Sequence, residues 1–115
     1  MPKKKTTGGK RRRRDDLPSP HHSVYVVELD RAATKVHESS LPPVYVGMTG
    51  LTPEERFANH KRGHKAARVV RRYGVRLLPA LYEHLNPVTY EEAARMEGEL
   101  AEALRVRGHV VFGGH

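Results

Sequence analysis

Seven consecutive residues, Ser23-Val24-Tyr25-Val26-Val27-Glu28-Leu29, constrain this chain more than any other stretch. β-branched and aromatic side chains at that density favour an extended strand and resist a helix. A polar loop from Asp30 to Pro43 follows and closes on a Pro-Pro pair that keeps the backbone extended. Val44-Tyr45-Val46-Gly47-Met48 then predicts a second, shorter strand. Strands adjacent in sequence usually pair, so the two form an antiparallel hairpin with a long connection.

Helix signals come next. Thr52-Pro53-Glu54-Glu55 combines an N-cap threonine, a proline at the first helical position and a glutamate that completes a capping box. This helix runs to about Arg62, with Gly63 as its stop. Lys65 to Tyr73 allows a second short helix ending at Gly74, and Val75 to Glu83 reads as a third strand interrupted by Pro79, which suits an edge or a bulge. Thr89, with Glu92 three residues on, opens the longest helix, which ends near Gly108; His109 to His115 is a short apolar tail with the sheet as its docking surface. The expected architecture is α/β (α+β): a small three-stranded antiparallel sheet flanked by helices, in the order β-β-α-α-β-α.

At 115 residues, against roughly 100–200 per domain, the chain accounts for one domain. It contains no cysteine, which excludes a disulfide scaffold, a thiolate nucleophile and a zinc ribbon. No apolar run approaches the roughly 18 residues of a membrane span, and the N-terminus is basic without the apolar stretch of a secretory signal. The expected location is cytoplasmic, or nuclear in a eukaryote. The net charge is +8, from 21 Lys and Arg against 13 Asp and Glu, and points to a polyanionic partner. Residues 1–20 hold eight of those bases and two acids, with one leucine, three prolines and two glycines. Such a segment cannot bury enough apolar surface to offset its ordering entropy, so 1–20 reads as a disordered basic arm and 21–115 as the folded domain. Between Arg56 and Tyr82 stand eight bases and no acid (Arg56, Lys61, Arg62, Lys65, Arg68, Arg71, Arg72 and Arg76), whereas Glu91 to Arg107 has five acids and three bases. An acid-free flank of that length suits contact with a phosphate backbone.

One carboxylate is oddly placed. At about 100° per residue, the apolar sector of the last helix centres on Leu100, with Ala93, Met96, Ala103 and Leu104 within roughly 60° of it. Glu97 falls near that edge, while Glu91, Glu92, Glu99 and Glu102 lie farther round. A carboxylate drawn toward the core needs a partner: a base, a hydrogen-bond network or a metal ion. From this helix alone, an ion pair with one of the arginines is the simplest reading.

Ser23-Val24-Tyr25 and Tyr45-Val46-Gly47, followed by Arg56-Phe57-Ala58-Asn59-His60-Lys61-Arg62-Gly63 and then by Glu97 on a later helix, resemble the GIY-YIG nuclease superfamily. The likeness covers nearly all of residues 22–113 in order. It implies a metal-dependent endonuclease hydrolysing phosphodiester bonds of nucleic acid, DNA ahead of RNA, by a single-metal mechanism with Tyr/His-assisted water attack. The residues carried over are Tyr25 and Tyr45, the two motif tyrosines; Arg56, which engages the scissile phosphate; and Glu97, which holds one Mg²⁺ or Mn²⁺. His60 matches a position near the nucleophilic water. Lys61, Arg62, Lys65, Arg68, Arg71 and Arg72 form the expected nucleic-acid-binding flank, and His109 is counted with them as an expected nucleic-acid contact. Three departures stand out. Ser23-Val24 replaces Gly-Ile, the connection between the tyrosine motifs is long, and His109 stands nearest to where many members place a site asparagine. A histidine there could still hydrogen-bond a phosphate or a tyrosine.

The chemistry agrees with these roles. Arginine offers a planar, permanently charged fork for phosphate oxygens, and one carboxylate suffices for Mg²⁺, which keeps most of its waters. An unshifted tyrosine is a poor base at neutral pH, so a phenolate would need Arg56 or the metal nearby; Tyr25, Tyr45 and His60 all stand as candidates for the base. His60 and His64 have the i,i+4 spacing of a helical zinc site, but Gly63 separates them and no third ligand is evident. The alternative on the same fold is a catalytically inactive nucleic-acid-binding module. No second domain to read the substrate is expected, so specificity is expected from a homodimer, from the substrate's shape or from a partner protein.

Overall fold

The computed structural model of the protein describes residues 19–36 and 39–114. Strand β1, Ser23–Leu29, pairs antiparallel with β2, Val44–Thr49, as expected. Helix α1 spans Pro53–Lys61, α2 Arg68–Tyr73, β3 Gly74–Leu77, α3 Tyr90–Val106 and β4 Val111–Gly113. The class is α+β, but the sheet has four strands, in the order β3-β1-β2-β4. The expected three-stranded antiparallel sheet is corrected by the C-terminal tail, whose Val111, Phe112 and Gly113 pair parallel to Val44, Tyr45 and Val46. A three-residue strand of this kind carries no pattern that distinguishes it from a loop. The disordered reading of 1–20 falls mainly on residues outside those described; Ser19 and Pro20 are exposed.

β1 is the centre of the molecule. Val24, Tyr25, Val26 and Val27 are all buried, so both faces of the strand are covered. β3 pairs with β1 at Val27 to Leu29, a shorter strand than the expected Val75–Glu83, because Pro79 opens a 3-10 turn over Pro79–Leu81. Where β3 stops, Asn86 substitutes for a strand neighbour. Its side-chain amide donates to the Val24 carbonyl at 2.8 Å and its Oδ1 accepts from the Val24 N–H at 2.9 Å. Both backbone polar groups of Val24, the residue before Tyr25, are therefore hydrogen-bonded where β3 no longer pairs.

Both capping boxes form. Thr52 and Glu55 exchange bonds at the start of α1, as do Thr89 and Glu92 at the start of α3. Gly63 takes φ +85° just past α1, a conformation that suits glycine at a helix end. On α3 the buried residues are Ala93, Glu97, Ala101 and Leu104, a sector of about 80° with Glu97 inside it. The expected sector centred on Leu100 is thus rotated: Leu100 and Met96 are half-buried and Ala103 is exposed. Close approach of backbone is the cause, since a Cβ on Gly114 would overlap that of Ala101. Small residues mark this face, and hydropathy undervalues them.

Candidate functional site

The sheet pleat sets the first two groups. Tyr25 is opposite Gly47 and Val27 opposite Tyr45, so both tyrosines project from one face, diagonal to each other. Their ring centroids are 6.3 Å apart. Helix α1 brings His60 onto the same face, where its ring lies 6.0 Å from Tyr25 and stands edge-on to Tyr45 at 5.7 Å. Tyr25 Oη and His60 Nε2 are hydrogen-bonded at 2.8 Å. His60 Nδ1 accepts from the Ala67 backbone N–H at 3.0 Å.

Arg56, one helical turn before His60, shares that face. Its Nη2 donates to the Lys65 carbonyl at 2.9 Å and Nη1 makes a long contact of 3.4 Å with the His64 carbonyl. Two of the five guanidinium N–H groups are so directed, and the fork is held against the turn between α1 and α2. Its charge acts on Tyr25, Tyr45 and His60 together. Glu97 arrives from α3, buried at 7% exposure, and its charge bears on both phenols.

The electrostatic balance follows from this grouping. Burial raises the Tyr25 pKa well above its ordinary value, Tyr45 and Glu97 add to the rise, and Arg56 opposes it as charge and as hydrogen-bond donor. Burial, then Glu97, raises Tyr45 also, while Arg56 and a hydrogen bond from Tyr25 pull it down. Burial and the Arg56 charge push His60 down to about 4, so the imidazole is neutral at neutral pH. Tyr25 and His60 are enclosed, at 1% and 0% exposure, whereas Tyr45 is half-buried and opens toward solvent.

Five sequence-predicted residues, Tyr25, Tyr45, Arg56, His60 and Glu97, are thus brought together. The remaining expected residues lie outside that cluster. Lys65, Arg68, Arg71 and Arg72 are exposed on α2 and the turn before it, and Arg72 stacks over the Tyr73 ring at 5.2 Å. Lys61 donates to the Arg71 and Gly74 carbonyls at 3.1 and 2.9 Å, which makes its ammonium a cap for the end of α2. Arg62 is bonded to Asn59 Oδ1. These two lie in an open depression or on a helix end: the depression, lined by Leu51, Glu55, Ala58, Asn59 and Arg62, contains none of the five clustered residues. His109 Nδ1 is hydrogen-bonded to the Pro42 carbonyl at 2.8 Å, which ties the approach to β4 onto the approach to β2.

Two participants have no counterpart among the expected site residues. Gly47 is the seat of the Tyr25 ring, because a Cβ there would lie 2.6 Å from Tyr25 Cζ and Oη. Its signal was the glycine in Tyr-Val-Gly, a small residue two positions from a strand tyrosine. The other is the Ala67 N–H, a backbone group that no side-chain pattern reveals.

Among the described residues, no group of three or more His, Cys, Asp or Glu side chains could hold a metal ion. The donor set near the tyrosines is one carboxylate, Glu97, whose charge bears on both phenols. Such hard oxygen donors fit one largely hydrated Mg²⁺ or Mn²⁺ and do not fit zinc. Among the described residues no helix is long and apolar enough to cross a membrane. No protein-family model matches the chain, and no curated protein or solved structure does.

Proposed function

We propose that this chain is a metal-dependent endonuclease of the GIY-YIG type, hydrolysing phosphodiester bonds of nucleic acid, DNA foremost. One observation carries the reading. Residues from β1, β2, α1 and α3, widely separated in sequence, bring two phenols, a guanidinium, a neutral imidazole and a carboxylate to one place.

Phosphodiester cleavage needs charge stabilisation on the non-bridging oxygens, an activated water and help for the leaving oxygen. Arg56 supplies the first, with its fork steadied by the Lys65 carbonyl. Tyr45, half-buried beside enclosed Tyr25, is the phenol a water reaches, and Arg56 and Tyr25 favour its ionised form. Glu97 acts in the opposite sense on both phenols and is the group that would hold a cation. When bound, Mg²⁺ or Mn²⁺ would supply positive charge that offsets Glu97 and polarises the leaving oxygen. The exposed bases Lys65, Arg68 and Arg72 would hold the strand through its phosphates.

The raised phenol pKa values favour a second reading, a nucleic-acid-binding module without catalysis. The deciding experiment incubates the protein and Mg²⁺ or Mn²⁺ with plasmid, branched and single-stranded substrates, with Glu97→Ala and Arg56→Ala as controls. The nuclease reading expects metal-dependent cutting that both variants lose. It fails if no substrate is cut, or if both variants cut as well as the parent, and binding without cutting selects the second reading.

A further inference from the structure

The hydrogen bond between His60 and Tyr25 has a direction. A backbone N–H can only donate, and that of Ala67 donates to His60 Nδ1 at 3.0 Å. Nδ1 therefore presents its lone pair. The proton of a neutral imidazole then sits on Nε2, which faces Tyr25 Oη at 2.8 Å. The phenol oxygen is the acceptor, and its own proton is turned away from the imidazole. Both ring nitrogens are committed in a side chain with 0% exposure, which leaves no lone pair for a proton from water.

The turn between α1 and α2 sorts the two functional side chains of α1 by their chemistry. The carbonyls of His64 and Lys65 collect the cationic Arg56, and the amide of Ala67 collects the neutral His60. Gly63 and Lys65, with φ of +85° and +49°, are left-handed residues in this same turn. We propose that His60 is a positioning residue, locked by the Ala67 amide as its Nε2–H tautomer, which holds the Tyr25 phenol as a hydrogen-bond acceptor and takes no proton from the attacking water. Two of the three candidate bases then remain, and both are tyrosines. Where cleavage is concerned this inference rests on the nuclease reading; the tautomer does not.

The test has two arms on the full-length chain. In the first, ¹⁵N-histidine NMR at pH 7 is expected to show His60 neutral with its proton on Nε2, and a protonated or Nδ1–H ring overturns the proposal. The second compares cleavage by His60→Ala, His60→Gln, Tyr25→Phe and the double variant His60→Ala/Tyr25→Phe. Loss of a partner that orients a functional group costs about 10–100-fold, so His60→Ala is expected to lower kcat by that factor with KM little changed. His60→Gln, whose amide N–H can donate to Tyr25, is expected to recover at least half of that loss on a logarithmic scale. In the double variant, loss of His60 is expected to add little to Tyr25→Phe, because the two act as one unit. The proposal is overturned if folded His60→Gln is as slow as His60→Ala, or if the losses in the double variant multiply. A parent protein that cuts nothing removes the nuclease reading, and the NMR arm still decides the tautomer.

Discussion

The ring of Tyr25 lies directly over Gly47, its cross-strand neighbour, so close that a Cβ on the glycine would come within 2.6 Å of Tyr25 Cζ and Oη. The ring cannot retreat, because it is enclosed and its hydroxyl is bonded to His60.

Gly47→Ala is therefore expected to displace the phenol rather than to be absorbed. Overpacking of this kind costs about 1–3 kcal/mol, and cleavage should fall further than the loss of stability accounts for. Denaturant melts and kcat measured on the folded variant check this. Parent-like values for both would refute the seat.

Glu97 raises both phenols, so replacing its charge should lower them. In Glu97→Gln, ultraviolet titration is expected to find Tyr45 ionising at lower pH than in the parent, while metal-dependent cleavage falls to background. A phenol titration that is unchanged or moves upward would place Glu97 away from the tyrosines.

His60 gives stability a pH dependence. Its pKa is about 4 in the folded protein against 6.5 for a free histidine, so below 6.5 the unfolded chain takes up a proton that the folded one refuses. The contribution is fully present above about 6.5 and is lost as pH falls toward 4. His60→Gln is expected to lose stability less steeply than the parent across that window, as urea melts at several pH values would reveal. Parallel curves would contradict it.

Lys61 and the bases of α2 should separate by function. Lys61→Ala removes two charge-assisted bonds at the end of α2 and is expected to cost about 1 kcal/mol of stability. Arg68→Ala and Arg72→Ala, both at exposed sites, should leave stability nearly intact. Each should instead reduce the salt slope of nucleic-acid binding by about one unit, equally on all sequences. A stability loss at Arg68 equal to that at Lys61 would be against the division.

Local signals were legible wherever the physics is local. Thr52 and Thr89 form the capping boxes their spacing announces, and the β-branched run at Ser23–Leu29 forms the strand. The i,i+4 pair Arg56 and His60 reaches one site because helix geometry alone determines that they share a face. Where the outcome depends on backbone approach, residue patterns were poor guides. The stripe of α3 is rotated toward Glu97 because Gly114 packs on Ala101, and β4 exists because Val111–Gly113 finds the open edge of β2. Lys61 looked like one more base on a positive flank, and only the position of the α2 carbonyls makes it a cap.

By itself the sequence determined the kinds of chemistry present: two strand tyrosines, an arginine and a histidine one turn apart, one carboxylate near a core, and a flank without acids. Spacing along a strand or within a turn of helix settles those relations, since both are periodic. The tertiary structure alone decided that Tyr25 accepts a hydrogen bond from His60 instead of offering one. That direction comes from the Ala67 N–H, a backbone donor identical in every residue but proline, which only folding could bring to His60 Nδ1.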